Sequence, residues 1–404
     1  MVKIARPVAL IAVVMLATIA CSNSNGGSTA SGARGGSPAL RNAADSKAAD
    51  LRVRLDVLLG EHAMVIAKSS LAATANRSDE YIGYGNLLIL NAGDLSAVMT
   101  SAFGTSAAAG FDQIWAEQNN YFVDYTVGLV SHNANKSNGA SSGLVNGFVP
   151  KFAQYLSSMS SIPLDPITLL LTEQVLETKA IIDDQAALNN PKMFADLHRA
   201  YAQASRIGDA LAAAIARKFP DKFPGDPANK AVDFRASLDT LLEEHSYLAT
   251  MTTSAIAGGR NTEQAAALSV LGSNAEALGT LFSQVFGTVM GTRFDQVWGT
   301  RDAELIVYAG GADETSRQGA LNSLKNSFVP QFASLIHDST DIAESEISNA
   351  AQSQLTDTIR VIDDQRSKSA TVVAADDHTA SAATNPVGDL IATSAVTKLP
   401  SKFS

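Results

Sequence analysis

Four of the six histidines in this chain of 404 residues fall at matching places in two related stretches, on apolar helical stripes. Leu51, Leu55, Leu58, His62, Val65 and Ser69 succeed one another at alternating four- and three-residue steps, the spacing of a buried helix face. Phe234, Leu238, Leu241, His245, Leu248 and Thr252 repeat that pattern. Further along, Phe194, His198, Tyr201, Ser205, Gly208 and Leu211 place His198 on an inward stripe, and His378 corresponds to it. Asp183 and Asp363 end the apolar part of the intervening helices, in Ile-Ile-Asp-Asp-Gln and Val-Ile-Asp-Asp-Gln. One reading brings His62, His198 and Asp183 together in a bundle interior, and His245, His378 and Asp363 in a second. Two imidazoles and a carboxylate are competent ligands for Cu(II), Zn(II) or Fe(II), and two histidines suffice for axial haem ligation. The other reading makes each histidine a core residue that donates to an Asp, a Gln or a carbonyl across helices and fixes their register. Gln118, between Trp115 and Phe122 on a third stripe, becomes Arg301 in the second stretch. A cation there argues against two identical metal sites.

Other chemistry is poorly served. Adjacent aspartates on a helix diverge by about 100°, so only one of each Asp-Asp pair can face a given site. The paired Glu-x-x-His motifs of ferritin-like di-iron proteins are absent, as are a nucleophile-elbow serine and a phosphate-cradling glycine loop. Cys21 is the single cysteine, which excludes a disulfide framework and a thiolate zinc site. The expectation is a non-enzymatic binding or interaction module. A metal or redox enzyme at the His/His/Asp sets is the rival reading, and a purely structural envelope component is a third.

These residues must be positioned by helices, and the helices come twice. Leu51 to His62 (LRVRLDVLLGEH) returns 183 residues later as Phe234 to His245 (FRASLDTLLEEH). Phe111 to Trp115 returns at the same offset as Phe294 to Trp298. After a three-residue deletion the offset becomes 180, matching Phe148 to Leu156 with Phe328 to Ile336 and Gly208-Asp209 with Gly388-Asp389. A repeat of this length is a whole domain and not a solenoid unit. Abundant Ala and Leu, no strand-like alternation, and Gly/Pro/Asn/Ser clusters at intervals predict an all-α fold: two tandem antiparallel bundles of about six helices each. Copy 1 spans residues 48–225 and copy 2 spans 231–404, divided by the Pro224–Lys230 segment. In copy 1 the helices are expected near 48–74, 79–102, 110–131, 143–158, 165–188 and 192–218, with Pro150 starting or kinking the fourth.

Residues 1–20 carry the basic Lys3 and Arg6, the apolar Val8 to Leu16, and a small residue, Ala20, before Cys21. This is the plan of an export signal, and Thr18-Ile19-Ala20-Cys21 resembles a bacterial lipobox, with Thr18 in place of the usual leucine. The resemblance implies acylation of Cys21, membrane attachment through that anchor, and a location on the outer face of a bacterial membrane. An ordinary cleaved secretory signal is the competing reading. The apolar run falls short of the roughly 20 residues that span a bilayer. Residues 21–47, rich in Gly, Ser, Ala and Asn, read as a flexible tether. A net charge of −10 with no basic run excludes nucleic acid as a partner, leaving an unidentified protein or small ligand.

Overall fold

The computed structural model describes residues 42–404, all of which belong to one compact unit. The export signal, Cys21 and most of the tether lie outside the described residues. The fold is all-α, and no strand occurs among the described residues. The order of elements runs twice. Copy 1 has α1 (Lys47–Thr74), α2 (Ser78–Phe103), α3 (Thr105–Val130), α4 (Ala134–Ser142), α5 (Val149–Ser160), α6 (Leu164–Ala186) and α7 (Asn190–Lys218). Copy 2 has α8 (Lys230–Ala257), α9 (Asn261–Phe286), α10 (Thr288–Gly310), α11 (Glu314–Ser323), α12 (Val329–Thr340), α13 (Glu344–Ser367), α14 (Ala370–Ala382) and α15 (Asn385–Lys398).

Local chemistry sets the helix ends. Ser46 and Asn229 accept from backbone N–H groups in the first turns of α1 and α8, satisfying donors that would otherwise be unpaired. The α2–α3 and α9–α10 corners each turn on one glycine, Gly104 at φ +89° and Gly287 at φ +90°, a conformation that side chains with a Cβ resist.

Two features depart from the sequence expectation. A helix at 134–142, where none was expected, runs through a π-helical turn (Gly143–Phe148) into α5. Pro150 at the start of α5 lacks an N–H, and the wider turn lies directly upstream. Copy 2 does the same at Leu324–Phe328, before Pro330. The long α7 is also divided in copy 2 into α14 and α15, because Pro386 stands where copy 1 has Arg206.

The a/d stripe accounts for only one side of α1. The helix is buried on nearly every side, Glu61, Lys68, Ser69 and Ser70 included. It packs on α2, α3, α6 and α7 of its own copy and on α8 of the other. Helix α8 is the matching centre of copy 2, while α7 crosses to α9 and α14 crosses to α2. Each copy has its own aromatic core, around Phe111, Trp115 and Phe152 or around Phe294, Trp298 and Phe332. A further cluster, including Met64, Leu197, Tyr247, Leu248 and Met251, joins the two.

Candidate functional site

The seam between the copies gathers most of the buried charge, part of it in pairs related by the repeat. On α1, the Glu61 carboxylate accepts from His378 Nδ1 at 2.6 Å, Tyr247 Oη at 2.6 Å and Asn91 Nδ2 at 2.9 Å. On α8, the equivalent Glu244 accepts from His198 Nδ1 at 2.7 Å and Asn274 Nδ2 at 2.8 Å. Each histidine therefore reaches across to the other copy. Burial alone would raise the Glu61 carboxyl, but the hydrogen bonds from His378, Tyr247 and Asn91 and the charge of His378 hold it below its ordinary value. The same contacts raise His378 through Glu61 and His198 through Glu244. Beside them Tyr201 donates to Glu243 at 2.5 Å. Burial and the charge of Glu61 push the Glu243 carboxyl well up.

Next to Glu61 lies a buried ion pair, Lys68 with Asp377. Lys68 also donates to Thr250 Oγ1 at 2.8 Å and lies over the rings of Tyr84 and Tyr247, 5.4 and 5.2 Å from their centroids. Asp377 accepts from Tyr84 Oη at 3.0 Å and Thr250 Oγ1 at 2.7 Å. Burial lowers the Lys68 ammonium and the charge of Asp377 opposes that shift. At the equivalent seam the lysine is Met251, the aspartate Leu197, Tyr84 is Ala267 and Thr250 is Ala67, all buried.

Nearer the start of both central helices, an arginine ties the copies together. Arg52 pairs with Asp209 of its own copy and Asp233 of the other; Arg235 pairs with Asp389 and, at 2.7 Å, with Asp50. The carboxyls of Asp56 and Asp239 sit beside these arginines, pushed well up by burial and then by the charge of Asp209 or Asp389. Gly208 and Gly388 make the approach possible. A Cβ there would fall 2.0 Å from Asp56 Oδ1 or 1.7 Å from Asp239 Oδ1.

The histidines of the inward stripes sit apart from one another. His62 Nε2 bonds Asn119 Oδ1 at 2.8 Å and its ring lies 4.6 Å from that of Trp115. Burial lowers the His62 imidazole to about 4, so it is neutral. His245 bonds Asn274 Oδ1 at 3.0 Å and Asp302 Oδ1 at 2.9 Å. Asp302 also holds the buried Arg301, whose guanidinium covers Trp298 at 4.9 Å.

The structure thus does not bring the expected triads together. Asp183 sits at the protein surface with Tyr125 and Lys179, and Asp363 with Tyr308 and Arg317. His198 and His378 turn from their own bundles toward the partner copy, because α7 and α14 lie on the seam and a buried carboxylate waits opposite. Among the described residues no three His, Cys, Asp or Glu side chains are grouped to hold a metal ion. The cavity beside His62 measures about 20 Å³, room for roughly one water and far too small for a haem.

Sequence reasoning missed Arg52, Asp56, Glu61 and their counterparts Arg235, Asp239 and Glu244. The signal was present: in the twelve residues that open each copy, the shared charged residues are these pairs. No family model, curated protein or solved structure is similar to the chain.

Proposed function

We propose that the chain is an exported, lipid-anchored, non-enzymatic interaction module, a duplicated bundle held off the outer face of a membrane by Cys21 and its tether. The observation that carries this reading is how the inward titratable groups are used. Glu61, Glu244, His198, His378, Lys68 and Asp377 each bond across the seam, so their chemistry joins the copies. Recognition then belongs to the outer surface, and the copies differ there. Copy 1 exposes Ile82, Ile89 and Leu90 on α2 and Leu169 and Leu176 on α6. Copy 2 has Ala265, Gly272, Ser273, Asn349 and Thr356 at those places. The partner in this reading is a second protein of the cell envelope, met through copy 1.

The test has two arms in the native host. Cys21→Ser should move the protein from the membrane fraction to the soluble fraction, and undiminished membrane retention overturns the anchor. Photo-crosslinking residues placed at Ile89 and Leu176 should capture discrete protein adducts that the same residues at Gly272 and Thr356 do not. Equal capture from both copies, or none from copy 1, overturns the interaction reading.

A further inference from the structure

Asp56 and Asp239 hold the same place in the two copies, inside the Arg/Asp ends of the seam, and are 1% and 0% exposed. Among the described residues no donor reaches Asp56 Oδ1 or either oxygen of Asp239. The adjacent arginines do not serve them. Arg52 Nε lies 3.7 Å from Asp56 Oδ2 and Arg235 Nε 3.8 Å from Asp239 Oδ2, beyond hydrogen-bond range. Their donors are engaged elsewhere: Arg52 on Asp209, Asp233 and the Pro227 carbonyl, Arg235 on Asp389, Asp50 and the Ala44 carbonyl. What does lie within hydrogen-bonding reach is a second carboxyl, Asp209 for Asp56 and Asp389 for Asp239. The glycines permit this approach, because Oδ1 of each buried aspartate fills the space that a side chain at Gly208 or Gly388 would take.

We propose that Asp56 and Asp239 each hold a proton at neutral pH and donate it to Asp209 and Asp389, which makes the arginine clamps between the copies proton-dependent. Ionised, either residue would be a buried carboxylate set against another, with no arginine in bonding range to compensate. Three acidic groups already share each guanidinium: Asp56, Asp209 and Asp233 around Arg52, and Asp239, Asp389 and Asp50 around Arg235. One proton in each cluster removes the surplus charge. It also turns a repulsive contact into a charge-assisted O–H···O⁻ hydrogen bond.

The electrostatics agree with this geometry. Burial and then the charge of Asp209 or Asp389 push Asp56 and Asp239 well up, against the pull of Arg52 or Arg235. Glu243, one turn further along α8, is itself raised in part by Asp239. Both copies keep every member of the set: Arg52, Asp56 and Gly208-Asp209 return as Arg235, Asp239 and Gly388-Asp389.

The sign of a pH effect separates this arrangement from an ordinary salt bridge. A carboxyl raised by folding favours the folded state at low pH, and its contribution is lost as pH rises through the raised value. A carboxylate kept ionised by its neighbours does the reverse. In the full-length protein, Asp56→Asn with Asp239→Asn copies the protonated acids, donating to Asp209 and Asp389 without titrating. Denaturation midpoints should show this variant gaining on wild type as pH rises from about 3.9 through neutrality. A variant that loses ground over that range overturns the proposal, as does a constant gap. Wild type alone gives a second test. With ¹³C in the aspartate side-chain carboxyls, its infrared spectrum at neutral pH should hold an unionised-acid band that the double variant lacks. Absence of that band in wild type overturns the proposal even if the variant does not fold, and so does its persistence in a folded variant.

Discussion

The two seams that join the copies occupy equivalent places and are built from opposite materials. Where α14 crosses α2, the contact holds Lys68 and Asp377 with Tyr84 and Thr250 around them. Where α7 crosses α9, it holds Met251, Leu197, Ala267 and Ala67. The same backbone arrangement therefore closes over an ion pair on one side and over apolar packing on the other. Desolvating two charges offsets much of their attraction, so the ionic seam gains little stability over its apolar twin. What it gains is intolerance of a missing partner. Asp377 must meet Lys68, whereas Leu197 is satisfied by any apolar neighbour of suitable volume.

The largest effect should come from breaking the ionic seam on one side only. Lys68→Met leaves Asp377 buried beside two hydroxyls, and removal of one partner from a buried pair costs about 3–5 kcal/mol. Lys68→Met with Asp377→Leu copies the apolar seam and should recover most of that loss. The remainder reflects Tyr84 and Thr250, which lose their acceptor. Guanidinium unfolding at neutral pH measures both. A double variant no more stable than Lys68→Met would show that the two seams are not interchangeable.

The seams agree at their Arg/Asp ends, and equal damage is expected there. Gly208→Ala and Gly388→Ala each drive a methyl group into an aspartate that is already confined. Overpacking of this kind costs about 1–3 kcal/mol. Denaturation midpoints should fall by similar amounts for the two variants. A large loss in one copy with none in the other would mean that the two Arg/Asp clusters differ in kind.

A smaller contrast separates the two glutamates. Glu61 accepts from three side chains and Glu244 from two, because Tyr247 bonds Glu61 while Tyr201 bonds Glu243 instead. Glu61→Gln should therefore destabilise more than Glu244→Gln, by about 1 kcal/mol, the net worth of one hydrogen bond. Equal losses would remove Tyr247 from the account.

The all-helical fold was legible in the sequence, because composition and stripe spacing are local properties of each segment. The partners of the site residues were not, for a reason visible at α1. A stripe such as Leu51, Leu55 and Leu58 identifies the side that faces its own bundle, but not whether the reverse side meets water or another copy. Glu61 and Lys68 look like solvated polar residues until α8 and α14 cover them. His198 sat on an inward stripe by spacing, yet its side chain is 43% exposed and its bond runs to Glu244. Helix α4 was missed because its Asn, Ser and Gly content lacks a stripe altogether. The division of α14 from α15 follows from a proline, Pro386, that the repeat pattern did not lead one to weigh.

The weakest contrast is in pH dependence, and its sign follows from the histidines. Glu61 and Glu244 raise His378 and His198 in the folded state. Their contribution is complete below the unfolded histidine value of about 6.5 and is lost as pH climbs through the raised folded values. His62 acts the other way: neutral when folded down to about 4, it weakens the protein as pH falls from about 6.5. Above that value it is neutral in both states and drops out. The raised carboxyls of Asp56 and Asp239 also favour low pH, so the histidine part must be isolated by difference. Wild type minus His378→Gln should give a stability gap that shrinks as pH rises from about 6.5. The His198→Gln gap should shrink likewise but be smaller, since His198 is 43% exposed against 30% for His378. Each gap should be about 1 kcal/mol or less, because solvent screens partly exposed pairs. Gaps that stay constant across this range would mean that the histidines join the copies as neutral hydrogen-bond donors and not as ion pairs, which would leave Lys68–Asp377 as the ionic contact that sets one seam apart from the other.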